Sequence, residues 1–333
     1  GCGSIADWGF LGADDADDAD APARYVSQGR LLVVLCWLAI KEAALLVGQV
    51  ARLAVSPLGA LLPAADLDAA GRSLMRTLLT TRHNGAIEKG SVGLGQLVES
   101  LLAHRDPEYA ALPAVWLKCL LDEACDAGTQ PDTDATTYLR RSAGLPFAML
   151  AVLYGEHNLR RGDAMLATAV QRLLDRADAD ADPSRAARCA SGASEADNGI
   201  GPWLGRVHAF NLLRHIVKDK AFGISALPFI GRGFMAAIGA LSAPRWPVRN
   251  AATLLLSALL ERSMRHRRSR DEHDGANALG VRDFFARAPG LDDFLLRQLS
   301  GHEQPDLFAI LLLLSKLVPS PVAQAARPDA LDL

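Results

Sequence analysis

From residue 31 onward the chain runs in long stretches where apolar residues recur every three or four positions, the period of a helix face rather than the alternation of a strand. The spacing predicts helices over 30–55, 72–81, 86–104, 108–126, 133–154, 159–176, 203–219, 226–241, 246–268, 278–300 (broken at Pro289-Gly290) and 305–318. Breakers separate them at Ser56-Pro57, Asn84-Gly85, Gly128, Pro202, Pro228, Pro244 to Pro247 and Pro305. No short alternating run is bounded by turn signals, so a sheet has no evident strands to build from. Helices of about 15 to 20 residues with short connections predict an all-α fold, with paired helices stacked as an α-solenoid of armadillo or HEAT-like repeats. Another all-α globule would carry the same helix count.

Composition supports the helical reading. Of 333 residues half are hydrophobic and only 6% aromatic, and Ala and Leu, which lose little side-chain entropy in a helix, dominate. A charged fraction of 22% excludes a wholly disordered chain. The formal net charge of −3 argues against a free-standing phosphate-binding domain, so any RNA contact is expected to be local or shared with a partner. Five cysteines, Cys2, Cys36, Cys119, Cys125 and Cys189, make an odd count with one close pair, which points to reduced thiols in a cytoplasmic protein. The apolar runs at 31–40 and 307–314 are expected to stop short of the roughly 18 to 20 residues that cross a bilayer, giving no membrane span. Beginning at Gly1 without a basic, apolar and cleavable leader, the chain reads as a fragment of something longer.

Three regions fall outside the helical array. Residues 1–27, with the acidic tract ADDADDAD, read as a disordered leader, 176–201 as a low-complexity insertion within the solenoid segment 28–322, and 323–333 as a tail. The stretch 261–277 carries Arg262, Arg265, Arg267, Arg268 and Arg270. It reads either as a solvated helix end favoured by the macrodipole or as a phosphate-contacting patch.

Catalytic signatures are missing. Gly93-Leu94-Gly95 and Gly199-Ile200-Gly201 lack the full dinucleotide-binding spacing and follow no strand, and neither a phosphate-binding loop ending in Gly-Lys nor a G-x-S-x-G elbow occurs. Cys119 and Cys125 have no second thiol or imidazole pair at zinc spacing, so neither a metal nor a cofactor is expected on this chain.

Four segments have polar or small residues that a plain core helix would not need. In TTRHNGAIEKG, Asn84 or Gly85 is expected to cap a helix from Ala86, with Glu88 completing a capping box if Gly85 is the cap. Arg82, His83 and Lys89 then stand by a helix N-terminus, either as an anion site or as a cap with surface cations. In YLRRSAGLPFAML, the Pro146 ring forbids an unbroken helix and places a boundary near 142–145. Ala143 and Gly144 there admit another backbone or a nucleotide, and Arg140 and Arg141 call for anionic partners, structural or bound. The helix VHAFNLLRHIVKDKAFG sets His208, Asn211, His215 and Lys218 on one stripe, and WPVRNAATLLLSALLER does the same with Asn250, Thr253, Ser257 and Glu261; such stripes are usually solvated faces. Arg249 and Asn250, beside Trp246 at the helix start, are the contacts expected there.

Together with CWLAIKEAALLVG (36–48) and LFAILLLLSKLVPS (307–320), these segments resemble, in order, the central region of the family of the thyroid-adenoma-associated protein (THADA) and its fungal relatives. The resemblance spans about 30–320 and rests most on RHNGAIEK and RRSAGLP. It implies a segment of a long armadillo or HEAT-like protein, a non-catalytic partner of an FtsJ-like methyltransferase that 2′-O-methylates nucleotide 32 in the tRNA anticodon loop. It further implies that S-adenosylmethionine sits on the partner and that Arg140, Arg141, Ser142, Ala143, Gly144, Leu145 and Pro146 form the motif tied to activity. A protein-interaction scaffold without RNA contact is the competing expectation. Against the family pattern, the Gly-Ser-Val-Gly-Leu-Gly run after Lys89 predicts a locally weak helix.

Overall fold

The computed structural model describes residues 22–56, 59–127, 142–178, 203–264, 280–300 and 307–317. Helix α1 (Pro22–Ala54) is followed by a two-residue ladder of β1 (Val55–Ser56) and β2 (Gly59–Ala60), then α2 (Ala64–Thr80), α3 (Asn84–Ala103), α4 (Pro107–Ala110) and α5 (Leu112–Cys125). A 3-10 turn, Ser142–Gly144, leads into α6 (Leu145–Asn158); α7 (Ala164–Asp178), α8 (Trp203–Lys218), α9 (Ile230–Gly239), α10 (Trp246–Met264), α11 (Val281–Arg287), α12 (Leu291–Ser300) and α13 (Leu307–Leu314) complete the order.

The helices form two rows, α1, α3, α6, α8 and α10 in one and α2, α5, α7 and α9 in the other, as an all-α solenoid. Members of the first row run parallel. Trp37 and Gly48 of α1 stand level with His83 and Gly93 at α3, and Asn158 of α6 donates to Glu99 of α3. The last turn of α6 meets the chain just past α8, where the Tyr154 hydroxyl donates to Asp219 and the rings of Tyr154 and Phe222 lie 5.1 Å apart. Arg262, at the end of α10, lies over Gly223. All these helices therefore start along one edge and end along the other.

Between the rows runs one continuous core, containing Leu97, Trp116, Val152, Leu173, Phe210 and Leu255. Each such side chain contributes roughly 1.5–3 kcal/mol by leaving water. Trp116 fixes α5 on α2: its ring fills the space a Cβ on Gly71 would need, and its Nε1 donates to Asp68 at 2.6 Å.

The glycine run in α3 corrects the expectation of a weak helix, since α3 is continuous through it. A Cβ at Gly93 would sit 2.2 Å from the Ala44 carbonyl oxygen of α1, so the missing side chain is what allows the two helices to touch. The stabilisation comes from packing rather than propensity.

Helix boundaries shift where local signals misled. α2 starts at Ala64 rather than 72, running through Gly71. α7 starts at Ala164 rather than 159, because Leu159 to Asp163 form a turn with Arg160 at φ 52° and Gly162 at φ 95°. The span expected at 226–241 splits into a 3-10 turn at Pro228 and a ten-residue helix, while the predicted break at Pro289-Gly290 appears with Gly290 at φ 78°. Of the disordered leader expected at 1–27, residues 22–27 are instead the first turns of α1, and of the insertion expected at 176–201, residues 176–178 close α7. Residues 1–21, 133–141, 179–201, the arginines beyond 264 and the tail 323–333 lie outside the described residues. One membrane expectation fails: the segment Gly29–Ala54 is long and apolar enough, by length and composition, to cross a bilayer. Its charges are Arg30 at the start, Lys41 and Glu42, paired at 2.9 Å, and Arg52 near the end.

Two glycines of α3 separate packing from propensity. Gly93→Ala is expected to lower stability by about 1–3 kcal/mol through overpacking against α1. Gly95→Ala, whose nearest neighbour would be 3.9 Å away, should be neutral or stabilising by up to ~1 kcal/mol. Urea unfolding midpoints of the two variants check this, and equal effects would refute it.

Candidate functional site

Because the first row is parallel, the starts of α3, α6, α8 and α10 fall on one edge, and that edge gathers the singled-out segments. Helix N-termini carry unpaired N–H groups and a partial positive charge.

At α3 the cap differs from the expected one. His83, not Asn84 or Gly85, is the N-cap, and its Nδ1 accepts from the Ala86 N–H at 3.2 Å. The imidazole also stacks on Trp37 of α1, with centroids 4.5 Å apart and planes 8° from parallel. Burial pushes its pKa down, which keeps Nδ1 an acceptor. With His83 as cap, Glu88 lies beyond the capping-box position. Arg82, Asn84 and Lys89 are exposed.

At α6 the boundary falls where Pro146 requires it, within the first turn. Gly144 is approached by a backbone: a Cβ there would meet the Leu78 carbonyl oxygen of α2 at 1.9 Å. Leu145 and Pro146 are buried, Ala143 is exposed, and Ser142 opens the 3-10 turn. Gly144, Leu145 and Pro146 are thus buried in the packing of α6 on α2, and of the two approaches expected at Gly144 the structure shows the backbone one. Arg140 and Arg141 lie outside the described residues.

At α8 the polar stripe is not a solvated face. His208 is buried, Asn211 and His215 are partly buried, and Lys218 alone is exposed. Burial pushes His208 down to about 4 and so holds it neutral. Unpredicted by sequence, Arg206 is buried beside it, its Nε donating to the Ala177 carbonyl at 3.1 Å and its guanidinium 5.9 Å from the Phe210 ring centroid. At α10, Arg249 donates through Nη1 to the carbonyls of Ala243 and Pro244, at 2.8 and 2.9 Å, clamping the entering loop. Asn250 and Trp246 are exposed, Trp246 by 64%.

On the opposite edge, Asp163 accepts from the Ser225 hydroxyl and faces His157 Nδ1 at 3.2 Å. The carboxylate stands between the two, so the serine is not paired with a base, and the cluster fastens a loop. The cavity between α7, α8, α9 and α10 is lined by apolar residues such as Val170, Leu174, Leu213 and Leu259, with no polar group to orient a substrate. Among the described residues no cluster of three His, Cys, Asp or Glu could hold a metal.

A family model described as THADA/TRM732, DUF2428 matches residues 11–247, and one described as Trm732, C-terminal TPR repeats matches 249–332. Curated proteins named tRNA (32-2′-O)-methyltransferase regulator THADA, from Gallus gallus and Homo sapiens, are each 32% identical over 310 residues, covering 88% of this chain and 15% of the relative. The tRNA (32-2′-O)-methyltransferase regulator trm732 of Schizosaccharomyces pombe is 25% identical over 259 residues, covering 74% of this chain and 16% of its own. The chain spans about 15% of the length of the first two. No solved structure matches.

His208 sets a pH dependence. The unfolded chain protonates this imidazole near 6.5 and the folded chain only near 4, so its contribution is fully present above 6.5 and is lost as pH falls toward 4. Between pH 7 and 4.5, His208→Gln is expected to lose about 2–3 kcal/mol less stability than the wild type. Urea unfolding at the two pH values measures this, and equal losses would sink it.

Proposed function

Because this chain belongs to the THADA/TRM732 family, we propose that it is part of a non-catalytic regulatory subunit that binds tRNA together with a methyltransferase and enables 2′-O-methylation of nucleotide 32. The observation that carries the reading is the shared edge, where the starts of α3, α6, α8 and α10 bring together segments far apart in sequence. The partner, FtsJ-like, holds S-adenosylmethionine and performs the transfer. This solenoid, working in the cytoplasm, presents the anticodon loop by shape and phosphate contacts. Exposed Arg82, Asn84, Lys89 and Asn250 are the described residues suited to that contact, together with Arg140 and Arg141.

The net charge of −3 and the burial of His208, Gly144, Leu145 and Pro146 favour a second reading, a protein-interaction scaffold whose edge meets only the methyltransferase. Binding of tRNA by the complex, with a steep salt dependence, separates the two. Under the first reading, Arg140→Ala combined with Arg141→Ala removes methylation of nucleotide 32 and leaves the unfolding midpoint unchanged. Normal methylation in cells carrying only that variant rules out a role for this arginine pair.

A further inference from the structure

Three tryptophans stand on the shared edge, and one of them faces outward. Trp37 is taken up by its stack on His83, Trp203 at the start of α8 is partly buried, and Trp246 at the start of α10 is 64% exposed. The backbone under Trp246 is held from both sides. Arg249 binds the carbonyls of Ala243 and Pro244 ahead of it, and the Arg245 carbonyl accepts from the N–H groups of Val248 and Arg249, at 3.1 and 3.3 Å. Pro244 and Pro247 fix φ two residues before the indole and one residue after it. A side chain set out on so constrained a turn gives up little backbone freedom when something binds it.

The surroundings of the indole narrow what binds it. One turn further on, Asn250 lies on the same face, exposed, its amide without a partner among the described residues. Thr253 and Ser257 continue that face, both exposed. No other large apolar side chain of α9 or α10 is exposed, so the indole is a single aromatic surface among polar groups rather than the centre of an apolar patch. The turn's own charges are Arg245 and Arg249, and the sequence carries no carboxylate between Asp219 and Glu261. A flat aromatic face, an amide one turn away and cations at its foot match an unpaired nucleobase on a phosphate backbone. A protein contact centred on the indole would gather further apolar side chains around it. We propose that Trp246 is a stacking platform for an unpaired base of the tRNA, with Asn250 one turn along to meet the edge of that base. The proposal rests on the tRNA-binding reading and adds to it the residue that holds the base.

Equilibrium binding of a tRNA transcript by the complete polypeptide in complex with its methyltransferase tests this. Trp246→Ala is expected to weaken binding about 5- to 100-fold, the range of one lost base stack. Trp246→Tyr, which keeps a π face, restores most of the affinity, whereas Trp246→Leu, which keeps only apolar bulk, does not. The factor lost is the same at about 50 and about 200 mM salt, because no phosphate contact is removed. All three variants keep the wild-type unfolding midpoint and the bound methyltransferase, since the side chain is exposed. Unchanged tRNA affinity in Trp246→Ala overturns the proposal while the tRNA-binding reading stands. Equal rescue by Leu and Tyr, or release of the methyltransferase by Trp246→Ala, also overturns it and makes the indole a contact for protein. Failure of the wild-type complex itself to bind tRNA overturns both the proposal and the reading beneath it.

Discussion

Close approach of helix backbones is the constraint on which the rest of this structure depends. Gly93 lets α1 touch α3, Gly144 lets the start of α6 rest on the α2 carbonyl of Leu78, and at Gly155 a Cβ would lie 2.3 Å from Val98. Each contact sets the height of one helix against the next. Heights fixed in this way set α1, α3 and α6 against one another and bring the starts of α3 and α6 into line; with side chains at these positions the helices would have to slide or separate. The core between the rows supplies most of the stabilisation, but apolar packing alone tolerates sliding that a glycine contact does not.

The helical class and the breaks at Pro146, Pro228 and Pro289-Gly290 were legible because they rest on local chemistry, the period of apolar residues and the geometry of proline. Boundaries at 64 and 164 were not. The start of α2 depends on Gly71 finding Trp116 from another helix, and the start of α7 depends on an arginine adopting a left-handed conformation that sequence rarely signals.

Site residues were legible as positions rather than as roles. The segments RHNGAIEK and RRSAGLP do mark helix starts, and those starts do share an edge. Yet His83 works as a cap stacked on Trp37, Arg249 as a clamp on two carbonyls, and Gly144 as a backbone contact. A polar or small residue next to a helix start satisfies the needs of the fold first, because unpaired N–H and C=O groups are costly when buried. Among the described residues of those segments, Arg82, Asn84, Lys89, Ala143 and Asn250 stay exposed. His208 misled for a related reason: a three-and-four stripe of polar residues does not say which side of the helix its neighbours occupy.

The stack of Trp37 on His83 also has a mechanical meaning. α1 spans 33 residues, about 50 Å. Trp37 lies fifteen residues after its start, so about 20 Å of helix projects past the level where α3 begins. The projecting arm is a cantilever with the indole–imidazole stack at its root, so the side chain that caps α3 is also a contact at the base of the arm.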